Sequence, residues 1–151
     1  MGAELEFEGK ILKISRNSNQ EVKPVNVTAD VYPAYPTDLQ PQITAAVSKA
    51  EGISCVADKV FPERNGICGE LIKAGADIRV YPGKILIRGV KKLDAAKFYA
   101  GDLRAGAGLC IAALMAEGES TVEGVEFIAR GYEDICRDFK GMGAEIFLKQ
   151  I

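Results

Sequence analysis

Two aspartates and three arginines carry the clearest capacity for chemistry in this sequence. Asp38 and Asp102 each stand where a helical pattern begins, and Arg64 and Arg130 each stand at the start of the helical pattern that follows. Arg104, two residues after Asp102, adds a third guanidinium beside a helix N-terminus. Such a cluster suits phosphate or carboxylate through bidentate pairing, and a carboxylate within about 3 Å of a hydroxyl can accept its proton. Two carboxylates and three arginines therefore suit chemistry on a small, multiply charged anion. Each residue also has a plain structural reading. Aspartate at a helix start is a preferred cap, contributing on the order of 1 kcal/mol, and an arginine kept at one place in two copies of a unit can hold a carboxylate of the neighbouring unit.

Other chemistries are excluded by composition. The chain has no histidine, so no Cys–His or Ser–His nucleophile pair forms within it. Cys55, Cys68, Cys110 and Cys136 are 13, 42 and 26 positions apart, without a Cys-x-x-Cys, so no metal site is expected and the thiols read as small hydrophobes. A net charge of −2 over 151 residues argues against a broad footprint for nucleic acid or an anionic membrane. The longest apolar run, Leu109 to Ala116, falls far below the roughly 18 residues of a membrane span, and no cationic, apolar leader opens the chain. A cytoplasmic location is the expectation. With 48% hydrophobic and 26% charged residues, the chain reads as soluble and globular, long enough for one domain.

The elements that must position those side chains are repeated. Gly2-Ala3-Glu4-Leu5, Gly75-Ala76-Asp77-Ile78 and Gly143-Ala144-Glu145-Ile146 recur at intervals of 73 and 68 residues. Upstream of the last two, Asp38-Leu39 matches Asp102-Leu103, Ala50-Glu51-Gly52 matches Ala116-Glu117-Gly118, and Arg64 matches Arg130, at offsets of 64, 66 and 66. Nearly constant offsets argue for duplicated supersecondary structure. The first copy begins at its own tail, so the helix that precedes the other two is missing and the chain reads as a piece of a larger protein: a repeat tail over 1–23, a unit over 24–91 and a unit over 92–151.

Leu5 to Ser15 predicts a hairpin turning at Glu8-Gly9-Lys10, followed by a polar loop over Arg16–Lys23 and a strand at Val25 and Val27. After the stiff Tyr32-Pro33-Ala34-Tyr35-Pro36 stretch, a helix starts at Thr37 or Asp38, with Ile43, Ala46, Val47 and Ala50 on one face and Gly52 as its stop. Ile53–Val60 predicts a strand and Glu63–Ala74 a helix. Ile78, Val80, Ile85, Ile87 and Val90 form a hairpin around Tyr81-Pro82-Gly83-Lys84. The helix over Asp102–Glu117 is apolar on nearly every side, which marks burial all round. Its Gly106 and Gly108 let neighbouring backbones approach, at roughly 1 kcal/mol of helix propensity each. A helix from Arg130, striped by Tyr132, Ile135, Phe139 and Met142, precedes a strand over Ala144–Ile151. Each unit reads helix, strand, helix, then strand or hairpin, with a further strand ahead of the first helix. Buried helices with sheets outside are the expected arrangement.

Pro36-Thr37-Asp38-Leu39-Gln40, Glu63-Arg64, Gly75-Ala76-Asp77, Asp102-Leu103-Arg104-Ala105 and Arg130-Gly131-Tyr132-Glu133, in this order, resemble the motif series of the UDP-N-acetylglucosamine 1-carboxyvinyltransferase family of enolpyruvyl transferases. The resemblance covers essentially the whole chain. It implies an α/β (α+β) inside-out barrel built from βαβαββ repeats, two such domains facing each other across an active-site cleft, with this chain as part of the second, C-terminal domain. It further implies transfer of enolpyruvyl from phosphoenolpyruvate to the 3-hydroxyl of UDP-N-acetylglucosamine, in peptidoglycan synthesis, with no cofactor or metal. Asp38 matches the aspartate that takes the proton of the attacking hydroxyl, and Asp102 a second carboxylate linked to proton transfer. Arg64 and Arg130 match arginines around phosphoenolpyruvate, Val60 lies where the nucleotide sugar is contacted, and Leu103 and Arg104 line the cleft, with Arg104 tied to closure or product handling. Where the family commonly has Glu-Asn-Arg-Phe this chain has Pro62-Glu63-Arg64-Asn65, and Ala129 stands where an acid often precedes the arginine. Both departures alter the support of the two arginines.

The family's mobile cysteine loop, an N-terminal lysine and a further anion-binding arginine fall outside this sequence, so the partner domain is missing and the chain alone is expected to be inactive and prone to self-association. Two alternatives stand beside this reading. One is a shikimate-pathway enolpyruvyl transferase, which the Pro-Thr-Asp-Leu-Gln and Arg-Gly-Tyr-Glu motifs fit poorly. The other is a catalytically silent ligand- or protein-binding module in which Asp38 and Asp102 are plain caps.

Overall fold

The computed structural model of the chain describes residues 1–17 and 20–149. Strands β1 (Glu4–Glu8) and β2 (Ile11–Ser15) form the expected antiparallel hairpin, with Leu5 opposite Ile14 and Phe7 opposite Leu12. Ser18 and Asn19, within the anticipated Arg16–Lys23 loop, lie outside the described residues. β3 (Asn26–Ala29) leads through the proline stretch into a helix built in three pieces: a 3-10 turn over Thr37–Leu39, α1 (Gln40–Ala46) and a second 3-10 turn over Val47–Lys49. Pro41 sits in the first turn of α1, where its missing N–H has no intrahelical partner to lose.

β4 (Ile53–Asp58), α2 (Gly66–Lys73), β5 (Asp77–Tyr81) and β6 (Lys84–Arg88) complete a βαβαββ unit. Its sheet runs β3-β4-β6-β5, with β3 parallel to β4 and the other pairs antiparallel. The second unit starts with β7 (Lys97–Tyr99), the strand anticipated ahead of the third helix, and continues through α3 (Leu103–Met115) into β8 (Thr121–Glu123), which pairs in parallel with β7. α4 (Val125–Ile128), a single turn not visible in the sequence pattern, and α5 (Ile135–Gly141) follow.

Three boundaries differ from the sequence reading. α2 begins at Gly66 rather than Glu63, because Phe61–Asn65 close into turns through Arg64 N–H to Phe61 O and Asn65 N–H to Glu63 O. α5 begins at Ile135 rather than Arg130, capped by Asp134, which accepts from the Arg137 N–H. Residues 144–149 are not a strand, and Gln150 and Ile151 lie outside the described residues. The cause of the last difference is visible in the first unit, where β5 joins its sheet only through β6. Residues 144–149 have no such intervening strand among the described residues, and an extended chain without a ladder partner is not a strand.

The core lies between the sheets and the helices. Val56 of β4, Ile85 and Ile87 of β6 and Ile78 of β5 point inward onto Ile67 and Leu71 of α2, Ala45 of α1 and Leu109 of α3. Residues 105–110 of α3 are consecutively buried, so every side of its middle is covered, whereas Leu114 near its C-terminal end is exposed. Small residues set the inter-element distances. A Cβ on Gly108 would lie 2.9 Å from the Pro41 carbonyl oxygen of α1 and 2.5 Å from Ile67, and one on Gly106 would lie 2.5 Å from Ile128. Gly89 is tighter still, since its Cβ would fall 1.6 Å from the Ala50 carbonyl oxygen. Gly89→Ala should therefore destabilise by about 2 kcal/mol or more in urea unfolding. Gly69→Ala, whose Cβ meets nothing within 4 Å in the interior of α2, should stabilise by about 0.5–1 kcal/mol; equal effects of the two would refute this packing.

Candidate functional site

The site begins at two buried groups that fix an arginine. Alternation along β4 puts Ser54, Val56 and Asp58 on the inner face, and Asp58 is only 4% exposed. A buried carboxylate demands partners. Asp58 accepts from the Val60 and Phe61 N–H groups at 2.8 Å each and from the Thr37 hydroxyl at 2.6 Å. Because that hydroxyl has a single proton, donated to Asp58, its oxygen is left to accept, and Arg64 Nη1 donates to it at 2.7 Å and to the Thr37 carbonyl at 2.9 Å. The guanidinium carbon stands 4.3 Å from the centre of the Phe61 ring, a cation–π distance. Arg64 is thus held by the hydroxyl and carbonyl of Thr37 and by the Phe61 ring.

Asp38 lies at the outer end of this chain of contacts. It is the second residue of the 3-10 turn and caps nothing, since Pro36 occupies the cap position and no side chain bonds there. Instead its carboxylate accepts a charge-assisted hydrogen bond from Arg104 Nε of the other unit and stands 3.6 Å from Arg64 Nη1. With its side chain 60% exposed, Asp38 remains open to a ligand. The Arg104 hydrogen bond is the largest influence and outweighs an upward push from burial; with the smaller contributions of the Arg104 and Arg64 charges it holds the Asp38 carboxyl below the ordinary aspartate range.

Asp102, its repeat counterpart, does what a helix-start aspartate ordinarily does. Its backbone is extended and its Oδ1 accepts from the Arg104 N–H at 2.8 Å and the Ala105 N–H at 3.0 Å. It thereby fixes the first turn of α3, from which Arg104 reaches across to Asp38. Leu103, half-buried in the same turn, lies under the turn that carries Arg130: a Cβ on Gly131 would meet the Leu103 side chain at 2.8 Å. Tyr132 in that turn accepts at its hydroxyl from Gln42 Nε2 of α1 at 3.3 Å. Arg130 is exposed and, among the described residues, no ion pair engages it. Val60 is 37% exposed beside the Asp58 carboxylate that binds its N–H.

Arg64 and Arg104 thus both approach Asp38, Asp102 and Leu103 share the turn that presents Arg104, Val60 is joined to the group through Asp58 and Thr37, and Arg130 precedes the Gly131 that packs on Leu103. Asp58 was not singled out from the sequence. Its signal was an acid in the inward register of an otherwise apolar alternating strand. Cys68 and Cys110 are buried, and burial pushes both thiols up to about 11, which leaves them protonated packing groups.

The family profile described as EPSP synthase (3-phosphoshikimate 1-carboxyvinyltransferase) matches residues 1–139. The UDP-N-acetylglucosamine 1-carboxyvinyltransferase 2 of Caldanaerobacter subterraneus subsp. tengcongensis is 45% identical over 145 residues, or 96% of this chain and 34% of that protein. The UDP-N-acetylglucosamine 1-carboxyvinyltransferase of Deinococcus radiodurans is 40% identical over 146 residues, 97% of this chain and 34% of that protein. Among solved structures, the enolpyruvyl transferase NikO from Streptomyces tendae superposes with a TM-score of 0.83 at 27% identity, over 96% of this chain and 33% of that one. The EPSP synthase from Acinetobacter baumannii, at 17% identity and a TM-score of 0.60, covering 81% of this chain and 30% of that one, shares the fold. The α/β fold is therefore that of the enolpyruvyl transferases, and the chain spans about a third of the length of the curated relatives it matches.

The two repeat-related aspartates should respond differently to substitution. Asp102→Ala removes a cap and should cost about 1 kcal/mol in denaturant unfolding, whereas Asp38→Ala, which removes an exposed ion-pair partner, should cost a few tenths at most. In a carbon-13 NMR titration, Arg104→Ala should move the Asp38 carboxyl up toward the ordinary aspartate range. The linkage sign follows: the small stabilisation from Asp38 is present above the unfolded-chain value and is lost as pH falls through the depressed folded value. An Asp38 titration unmoved by Arg104→Ala would overturn the assignment.

Proposed function

We propose a function from one premise, that the chain belongs to the EPSP synthase (3-phosphoshikimate 1-carboxyvinyltransferase) family: it supplies one wall of a carboxyvinyl-transfer site acting on UDP-N-acetylglucosamine and phosphoenolpyruvate. In this reading it is part of the second domain of a cytoplasmic UDP-N-acetylglucosamine 1-carboxyvinyltransferase, with residues 1–23, 24–91 and 92–151 as its repeat tail and units. The phosphoenolpyruvate double bond takes a proton at its methylene carbon while the sugar 3-hydroxyl oxygen bonds to its central carbon. The tetrahedral species still carries phosphate and carboxylate until the C–O bond to phosphate breaks and a proton is removed from the new methyl group, which restores the double bond. That sequence requires a carboxylate near the hydroxyl, a second group for proton transfer, and fixed cations on two anionic substituents.

Asp38 is assigned the hydroxyl proton and Asp102 the second proton-transfer role. Arg64 and Arg130 are assigned to phosphoenolpyruvate, Val60 to the nucleotide sugar, and Leu103 and Arg104 to the wall of the cleft. The observation that carries the reading is the exposed Asp38 carboxylate bracketed by Arg104 and Arg64. An incoming phosphate or carboxylate competes with Asp38 for these guanidinium groups. As Arg104 turns to the anion, Asp38 loses the hydrogen bond that most lowers its pKa and becomes a better proton acceptor as substrate arrives. Arg64, tied to Thr37 and through it to buried Asp58, keeps its place meanwhile. Relatives at 45% and 40% identity bear the nucleotide-sugar enzyme's name, which favours that acceptor over shikimate 3-phosphate. Since those relatives are about three times longer, the opposing wall and the loop that excludes water are assigned to their remaining length.

Titration of the purified chain with phosphoenolpyruvate, followed by NMR of the arginine Nε–H groups, tests this. Saturable shifts at Arg64, Arg104 and Arg130, an upward move of the Asp38 titration, and no phosphate release in the presence of UDP-N-acetylglucosamine are expected. Silent arginines, or saturable binding of shikimate 3-phosphate without binding of the nucleotide sugar, would reject the assignment. Phosphate release abolished by Asp38→Ala would instead show that the chain needs no second wall.

A further inference from the structure

The β1–β2 hairpin and the second unit are complementary halves of one packing arrangement. With a constant offset of 73 residues, β1–β2 repeats β5–β6 in strand length, turn length and register: Leu5 opposite Ile14 corresponds to Ile78 opposite Ile87, and Phe7 opposite Leu12 to Val80 opposite Ile85. In β5–β6 most of this apolar face is laid on the core, with Ile87 0%, Ile85 3% and Ile78 9% exposed, while Val80 at its outer end stays 44% exposed. In β1–β2 it faces solvent, with Leu12 47% and Phe7 77% exposed, and the two strands pair only with each other among the described residues.

The converse holds at β8. β8 repeats β4 at an offset of 66, down to its entry: Ser54 Oγ accepts the Val25 N–H at 3.2 Å and Ser120 Oγ accepts the Ala96 N–H at 3.2 Å. β4 carries β6 on its second edge, whereas β8 pairs only with β7 among the described residues. Beside the entry to β8 lies an open groove of about 800 Å³, lined by Leu114, Glu119, Phe139, Met142 and Phe147.

We propose that the β1–β2 hairpin of one copy docks on β8 of a second copy, with β2 antiparallel to β8 in the place that β6 takes on β4 and its apolar face over that groove. Copying the β4–β6 register puts Leu12 opposite Val122 and Ile14 opposite Ser120, as Ile85 stands opposite Val56 and Ile87 opposite Ser54. Lys13, which pairs with Glu8 in a single copy, then stands opposite Thr121 and diagonal to Glu119 and to Glu123, the latter already paired with Lys97, so that Glu119 gains an opposite charge across the strand pair. The acidic residues of the hairpin, Glu4, Glu6 and Glu8, fall on β1, one strand farther out. The match ends after Ser15, because Arg16 stands where Gly89 lies against the Ala50 carbonyl, so the chain must leave the ladder there. Within one copy the root of the hairpin is tied to the first unit by Lys23 N–H to Met1 O at 3.4 Å and Glu51 N–H to Val22 O at 2.8 Å, which directs the hairpin to another molecule's β8. Each copy offers one hairpin and one acceptor, so reciprocal exchange closes a two-fold dimer. This assembly gives a physical form to the self-association expected from the sequence and is independent of the carboxyvinyl-transfer reading.

Sedimentation equilibrium of the full chain across a concentration series, with circular dichroism as the control for folding, tests the exchange. The wild type should approach twice its 16.2 kDa mass. Leu12→Asp, at the counterpart of buried Ile85, should raise the dissociation constant on the order of a hundredfold, and Lys13→Glu about fivefold, both with unchanged dichroism because these side chains are exposed. Adding Glu119→Lys to Lys13→Glu should recover most of the loss. A wild type that stays monomeric, a dimer indifferent to both substitutions, or a charge exchange that restores nothing would each overturn the proposal.

Discussion

The close approach of α1 and α3 is the constraint on which the rest depends. Gly108 of α3 lies against the Pro41 carbonyl of α1, and no side chain fits between them. That contact brings the N-terminal turns of two repeated helices side by side, so that Arg104 from one unit reaches Asp38 on the other. Glycine in the middle of a helix costs about 1 kcal/mol of propensity. Burial of the middle of α3 on every side offsets this cost, with Leu109, Cys110 and Ala112 joining the common core. The helix is poor in propensity and strong in packing, and its first turn carries the candidate site's Arg104.

Duplication supplies equivalent positions, and local context divides their roles. Asp102 follows Gly101 in extended backbone and spends its carboxylate on the orphan N–H groups of α3. Asp38 follows Pro36 and Thr37 inside a 3-10 turn, where its own backbone is already helical, and so its carboxylate is free for guanidinium groups. The arginines diverge in the same way. Arg64 is held by Thr37 and Phe61, backed by a buried Asp58, whereas at the position equivalent to Asp58 the second unit has Gly124, just past β8, and Arg130 stays exposed. One unit therefore presents a cation held by its neighbours, and the other an exposed cation that no ion pair engages among the described residues.

The order and type of most elements were legible in the sequence because periodicity reports burial: alternation in β4 and β6, and the all-round apolar stretch of α3. Where local pattern and long-range contact disagreed, the pattern failed. Arg130 to Asp134 look helical, yet Asp134 caps the helix later. Gly143-Ala144-Glu145-Ile146 repeats a strand start, but a strand exists only through its neighbour. Of the candidate site, Asp38, Asp102, Arg64 and Arg130 were visible as repeated positions and Arg104 as a guanidinium beside a helix start, and their resemblance to a known motif series grouped them. What could not be read was the partnership of Asp58 with Thr37, 21 residues apart, or that only one of the two aspartates is a cap. Those facts are set by which backbones touch, and no local signal encodes them.

If helix approach governs the site, the most direct measurement is the carbon-13 titration of Asp38 in Gly108→Ala. The added methyl forces α1 and α3 apart by a few tenths of an ångström or more, and the Asp38 carboxyl should rise toward the ordinary aspartate range while the fold persists by circular dichroism. An Asp38 titration identical to that of the wild type, in a variant measurably destabilised by the same methyl, would contradict the account.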